Sequence, residues 1–213
     1  MRHLRIRAAI TGLILLSALG ATGCTKVMIE TAKKAMEDRV TDDQVKDTQI
    51  GTGILSSLSG KDMGLLLDVN VDVWEQRVML TGTLDNPQTR QDVVQMVRAD
   101  SRVPQIYDEI QIVTKAEKEQ HREAAKKKDE PKKEGVEQTV DDFWIETKIS
   151  AQLVSTRGVN SVNYRWRSVR NTVHIIGRAR SQEELNMVLG IIRATEDVSL
   201  VKDFVEIKPP WKS

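Results

Sequence analysis

Between Thr147 and Gln182 the chain carries seven cations, Lys148, Arg157, Arg165, Arg167, Arg170, Arg178 and Arg180, and no Asp or Glu at all. Guanidinium groups donate hydrogen bonds and accept none, and their planar fork matches carboxylate and phosphate oxygens. That window is equipped to hold anions. Residues suited to catalysis are thin by comparison. Cys24 is the sole cysteine, and the three histidines are His3, His121 and His174. No His, Cys and carboxylate stand at metal-ligand spacing. Asp42-Asp43 and Asp141-Asp142 each precede an apolar stripe, which reads as a helix start rather than a catalytic pair. No glycine-rich phosphate loop occurs. The expectation is no catalytic residue, no metal, no cofactor and no small-molecule substrate.

The elements that position these cations come from a duplication. Trp144–Val154, WIETKISAQLV, repeats Val45–Leu55, VKDTQIGTGIL, at an offset of 99 that aligns Thr48 with Thr147 and Ile50 with Ile149. Beyond this helix the offset is 95, aligning Val71 with Trp166, Leu80 with Ile175, Gly82 with Gly177 and Asp108 with Asp203. In the first copy Ile50, Ile54 and Leu58 recur at helical spacing. Leu65, Leu67, Val69, Val71 and Val73 then alternate with Leu66, Asp68, Asn70, Asp72 and Trp74 as in a half-buried strand. Glu75 to Arg77 turn the chain, Val78 and Leu80 return to the core, Asn86-Pro87 opens a second helix, and Ile106, Ile110 and Ile112 mark a last strand. The second copy predicts a core of Ile145, Ile149, Leu153, Tyr164, Trp166, Val173, Ile175, Leu185, Val188, Leu189, Ile192, Val205 and Ile207. The fold class expected is α+β, two tandem α-β-β-α-β modules, each a three-stranded sheet with two helices on one face.

The address is written at the N-terminus. Arg2, Arg5 and Arg7 precede the 13-residue apolar run Ala8–Gly20. That run is too short to span a bilayer core and has the form of a cleavable signal segment. Cys24 follows the small residues Ala21, Thr22 and Gly23, and a lone thiol in an exported chain needs a purpose. This resembles the bacterial lipoprotein signal, with Ala21 where the pattern usually has Leu. The resemblance implies that Cys24 is acylated, and Thr25 in place of Asp implies the outer membrane. Loss of the three Arg leaves 29 basic against 31 acidic residues, so the overall charge gives no nucleic-acid signature. Expected boundaries are 1–23 signal, 24–41 tether, 42–113 first module, 114–139 charged linker, 140–208 second module and 209–213 tail. Lys115–Gly135 holds eight Lys/Arg and six Asp/Glu. It reads as a linker, part of it a solvated helix ended by Pro131.

Paired modules of about 70 residues, each with a hairpin ending in Leu-Thr-Gly or Ile-Ile-Gly and a last strand after an Asp, resemble the BON domain. With the lipoprotein-like start, the whole resembles the dual-BON lipoproteins of Gram-negative envelopes. Two features depart from that family: the GKDMGLLL insertion in the first module and the length and charge of the linker. The resemblance implies a non-catalytic protein on the periplasmic face of the outer membrane that binds phospholipid and maintains envelope integrity.

Charge separates the copies. Thr41 to Thr114 holds twelve acidic against six basic residues, opposite the acid-free window of the second module. A lipid-contact surface is expected on Phe143, Trp144, Lys148, Arg157, Arg165, Arg167 and Arg178, with an anionic phospholipid membrane as partner. Trp144 has Val45 as its counterpart and suits an interfacial anchor, although the same residue can staple its own helix. Arg165, Arg167 and Arg178 face outward from the sheet, where they bind lipid, keep the sheet soluble or pair with the acidic first module. His174 is likewise expected to point outward. The alternative function is an envelope adaptor binding a protein partner through the sheet faces. A glycan-binding role would rest only on Trp74 and Trp211.

Overall fold

The computed structural model describes residues 36–127 and 141–209. The chain divides into two compact units, Met1–Met36 and Glu37–Ser213, and both modules belong to the second. Cys24, His3, Pro131 and Trp211, with the signal segment, most of the tether and the centre of the linker, lie outside the described residues.

Each module starts with a helix buried along one stripe. Helix α1, Thr41–Lys61, buries Ile50, Ile54 and Leu58, with Asp42 and Asp43 in its first turn, where a negative charge complements the helix dipole. Strands β1, Val69–Trp74, and β2, Arg77–Leu84, pair antiparallel with Val71 opposite Leu80. Helix α3, Pro87–Arg98, is capped by the Asn86 side chain and buries Val93, Val94 and Val97. It carries the chain across to β3, Gln105–Ile112, parallel to β2. The second module repeats this with α5, Asp141–Ser155, β4, Tyr164–Val169, β5, Thr172–Ala179, α6, Gln182–Ala194, and β6, Leu200–Ile207. The middle strands are β2 and β5. The first core joins α1, α3, Val69, Val78 and Leu80, and the second joins Ile145, Ile149, Leu153, Tyr164, Val173, Ile175 and the α6 stripe. Ile112 and its counterpart Ile207 lie at strand ends, about half exposed rather than in the cores.

The leucine run of the insertion is not strand. Leu65–Asp68 makes one helical turn, α2, and β1 begins at Val69. The Asp62 carboxylate accepts from the Gly64 N–H at 2.8 Å and its carbonyl from Leu65 N–H at 3.0 Å, a local bonding set that competes with extended backbone. Leu65 is buried while Met63 and Leu67 face solvent. The linker starts as helix α4, Lys115–Lys127, opened by a capping box in which the Thr114 N–H donates to the Glu117 carboxylate and Glu117 N–H donates to the Thr114 hydroxyl. This helix is held to the first module by Lys118 on Asp85 and by Arg122 on Asp68.

At Gly82 and Gly177 the middle strand passes so close to the start of β1 or β4 that a Cβ would stand 2.0 Å from the Asp68 carbonyl or 2.2 Å from the Asn163 carbonyl. Both hairpins turn through two residues in left-handed conformation, Glu75-Gln76 and Arg170-Asn171, as two-residue turns joining twisted strands require. Glu and Gln are poor choices there. The buried Asp47 carboxylate offsets the strain by accepting from both amides, at 2.7 Å each. In the second module Asp142 does the same for Arg170 and Asn171, at 2.7 and 3.0 Å.

Candidate functional site

Helices cover one face of each sheet, and the two remaining faces cover each other. Trp74, Met79 and Ile176 are fully buried between them, with Tyr107 stacked on Phe204 at 4.2 Å. Polar contacts surround this apolar centre. Arg167 forks onto Asp72 at 2.8 and 3.0 Å, and the Asp72 charge raises the Arg167 pKa further. Arg77 donates to the carbonyls of Phe204 and Gly177 at 2.8 and 2.9 Å. Glu109 takes Lys202, and Gln111 donates to the Val169 carbonyl. Asp72 and Arg167 occupy equivalent positions of the repeat, as do Met79 and His174.

Of the expected lipid-contact residues, three guanidinium groups belong to this region. Besides Arg167 on Asp72, Arg165 donates to Glu37 at 2.5 Å and lies 5.2 Å over the Trp74 ring. Arg178 donates to the Asp38 carbonyl at 2.9 Å, to Glu75 at 3.3 Å, and to the Lys208 and Pro209 carbonyls. Of the fates considered for this Arg face, it is the pairing with acidic residues outside its own module that the geometry displays. The sheet faces proposed for an adaptor are the surfaces already mated. Trp74, considered as an exposed platform, is fully buried, and so is His174, expected to point to solvent. His174 does leave its sheet on the outward side, but that side is the module interface. Neither ring nitrogen has a hydrogen-bond partner, and Nε2 lies 3.6 Å from the Glu109 carboxylate. Burial lowers the His174 pKa despite the opposing pull of Glu109.

The other four lie on the helical side of the second module. Phe143 and Trp144 are part-exposed at the start of α5, ring centroids 5.6 Å apart in an edge-on arrangement. One turn on, Lys148 reaches Glu196 at 2.6 Å and Asp197 at 3.8 Å. Val154, at the far end of α5, is 71% exposed, and Arg157 beyond it is exposed as well. Ile145, Ile149 and Leu153 hold the opposite stripe completely buried, which fixes the orientation of this face.

Sequence reasoning overlooked Glu37, Asp38, Arg39 and Asp47, which have no periodic signal. It left the mating of the sheets as one of several open fates, although a further signal for it existed. Val78-Met79-Leu80 and Val173-His174-Ile175-Ile176 break strict alternation, as strands buried on both faces do.

Among the described residues no group of three His, Cys, Asp or Glu could hold a metal ion, and no helix is long and apolar enough to cross a membrane. A relative from Anaplasma centrale, described as an uncharacterized protein in the gshII 5′ region, is 32% identical over 145 residues, covering 68% of this chain and 85% of that protein. Two solved structures align at low similarity. One is CdsD, a structural protein of the type III secretion system of Chlamydia trachomatis, at 11% identity over 78% of this chain and 93% of that one, TM-score 0.28. The other is the C-terminal domain of the same protein, at 10% identity over 70% and 65%, TM-score 0.27. The family model of the BON domain matches twice, over residues 46–114 and 141–209, each match holding one α-β-β-α-β module. The chain belongs to the BON-domain family, whose members are membrane- and phospholipid-associated modules, generally without catalysis, and it carries that domain in tandem.

Proposed function

We propose that this protein is a non-catalytic outer-membrane lipoprotein, anchored on the periplasmic side through acylated Cys24, that binds anionic phospholipid through its second module and helps maintain envelope integrity. The observation that carries the reading is the Phe143–Trp144 pair, edge-on and part-exposed at the start of α5, where the duplicated first module has only Val45. An amphipathic aromatic at a helix end suits the headgroup level of a bilayer. Lys148 and Arg157 flank it, and a basic residue near an anionic surface contributes about 1 kcal/mol. The packing favours this helical side over the Arg face, because Arg165, Arg167 and Arg178 bind buried carboxylates and carbonyls of the chain, whereas Lys148 pairs with the exposed Glu196 and Asp197. Meeting lipid phosphate would cost the three arginines those bonds.

The test uses unacylated protein, made by Cys24→Ala, with phosphatidylglycerol and phosphatidylcholine vesicles at low salt. Binding is expected to the first and not the second, reduced about tenfold by Trp144→Ala, as the loss of one interfacial anchor worth about 1.4 kcal/mol. Absence of binding to phosphatidylglycerol would reject the lipid reading. In cells Cys24→Ala is expected to move the protein from the membrane to the soluble fraction, and its retention there would reject the anchor.

A further inference from the structure

We infer that the second module carries a built binding site for an acidic peptide segment, and that the chain's own Glu37-Asp38 fills it. The site lies on the helix-less side and end of the sheet, away from the Phe143–Trp144 surface, and does not depend on the lipid reading. Its floor is Asn163, completely buried in the 3-10 turn Ser161–Asn163 that precedes β4. The Asp38 N–H donates to the Asn163 side-chain oxygen at 2.8 Å, and the Asn163 amide donates back to the Asp38 carboxylate at 2.7 Å. An amide that both accepts and donates reads a peptide unit together with the acid beside it.

Four further side chains complete the recognition. Asn160 donates to the Asp38 carboxylate at 3.2 Å, and Arg180 approaches both of its oxygens, at 2.5 and 3.2 Å. Arg178 donates to the Asp38 carbonyl at 2.9 Å, and Arg165 to Glu37 at 2.5 Å. The Glu37 side chain is wholly buried. Burial works to raise the Asp38 pKa, but the bonds from Arg180, Asn163 and Asn160 overcome it and leave the group below its ordinary value. Two successive carboxylates and one peptide unit are thus read together.

The duplication supplies independent support. Asp68 is the counterpart of Asn163, sits against Gly82 as Asn163 sits against Gly177, and also grips a segment from outside its module. That segment is α4, held by Arg122 on Asp68 at 2.6 and 2.8 Å. The same position captures a basic segment with a carboxylate in one copy and an acidic segment with an amide and arginines in the other. Glu37-Asp38 lies before the first family match, which begins at residue 46. Arg39, next in the chain, pairs with Asp47 and stacks 4.3 Å over Trp74, so the clasp also closes the module interface.

The test employs the full chain with Glu37→Ala and Asp38→Ala, which empties the site, and a labelled peptide of residues 30–41. The variant is expected to bind the peptide at least about tenfold more tightly than the native chain, whose site is filled, and Arg180→Glu in the variant is expected to abolish binding. No binding by the variant, or equal binding by variant and native chain, would overturn the proposal. If the double variant fails to fold, hydrogen exchange decides. The Asp38 amide is expected to exchange at least about tenfold faster in Arg180→Glu than in the native chain, with the β4 amides unchanged. An unaltered Asp38 rate would overturn the proposal equally.

Discussion

The two modules share a fold and differ where they meet the rest of the molecule. The first presents Asp72, Glu75 and Glu109 to its neighbour and the second presents Arg167, Arg178 and Lys202. On the far side, the first has Val45 where the second has Trp144. Their hairpins diverge too: both are held by an Asp carboxylate, Asp47 or Asp142, but Arg170-Asn171 includes an asparagine, which tolerates the left-handed region, and Glu75-Gln76 does not. The duplicate cores tolerate little change because helices and strands pack there to high density. The outward faces were free to specialise, and did so in complementary directions.

The largest way to break this pairing is at its apolar centre. Trp74→Ala is expected to cost about 3–5 kcal/mol in chemical denaturation, because the ring is completely buried between the sheets. A loss under about 1 kcal/mol would mean that the faces are not mated in solution. Next comes the charge pair. Arg167→Asp is expected to cost about 2–3 kcal/mol, since it sets a second carboxylate against the buried Asp72, discounted because the Arg167 side chain is 35% exposed. Adding Asp72→Arg is expected to restore most of it, and a double variant no better than the single would contradict the contact.

His174 tests the same interface through pH. Its folded pKa lies below the ordinary value near 6.5, so the unfolded chain binds the proton more readily. Its stabilising effect is therefore complete above about pH 6.5 and is lost as pH falls below that value. His174→Met, which installs the residue of the equivalent position Met79, is expected to flatten that acid-side slope. It is also expected to add about 1 kcal/mol at neutral pH by replacing a fully buried imidazole with an apolar side chain. Melting curves from pH 5 to 8 decide, and an unchanged slope would sink the assignment. The smallest effect is at the first hairpin. Gln76→Gly is expected to shift stability by less than about 1 kcal/mol, because relief of the left-handed backbone is set against loss of the Gln76 side-chain bond to Asp43 at 3.1 Å, while Asn171→Gly changes little.

Much of this architecture was legible in the residues. Ile50-Ile54-Leu58 and Ile145-Ile149-Leu153 announce their helices because burial on one stripe imposes a period, and the constant offsets announce the duplication. The Leu65–Asp68 turn was hidden because Leu65 and Leu67 continue the alternation of Val69, Val71 and Val73, while local bonds from Asp62 decide the backbone. The fate of Arg165, Arg167 and Arg178 was open because a cation facing outward from one module carries no mark of what lies opposite. The clasp at Glu37–Arg39 was illegible for a simpler reason: three charged residues in succession read as solvated, and only the fold shows the arginines and amides that enclose them.

Asp72 faces Arg167, which is its own repeat image. A pair of identical modules packed this way would set carboxylate against carboxylate, or guanidinium against guanidinium, beside the apolar centre of the contact. Neither module can therefore take a second copy of itself on this face without repulsion, and each finds its match only in the other. Joining the two in one chain supplies that match at a fixed one-to-one ratio. The pairing face of each module is thereby filled from within the same chain.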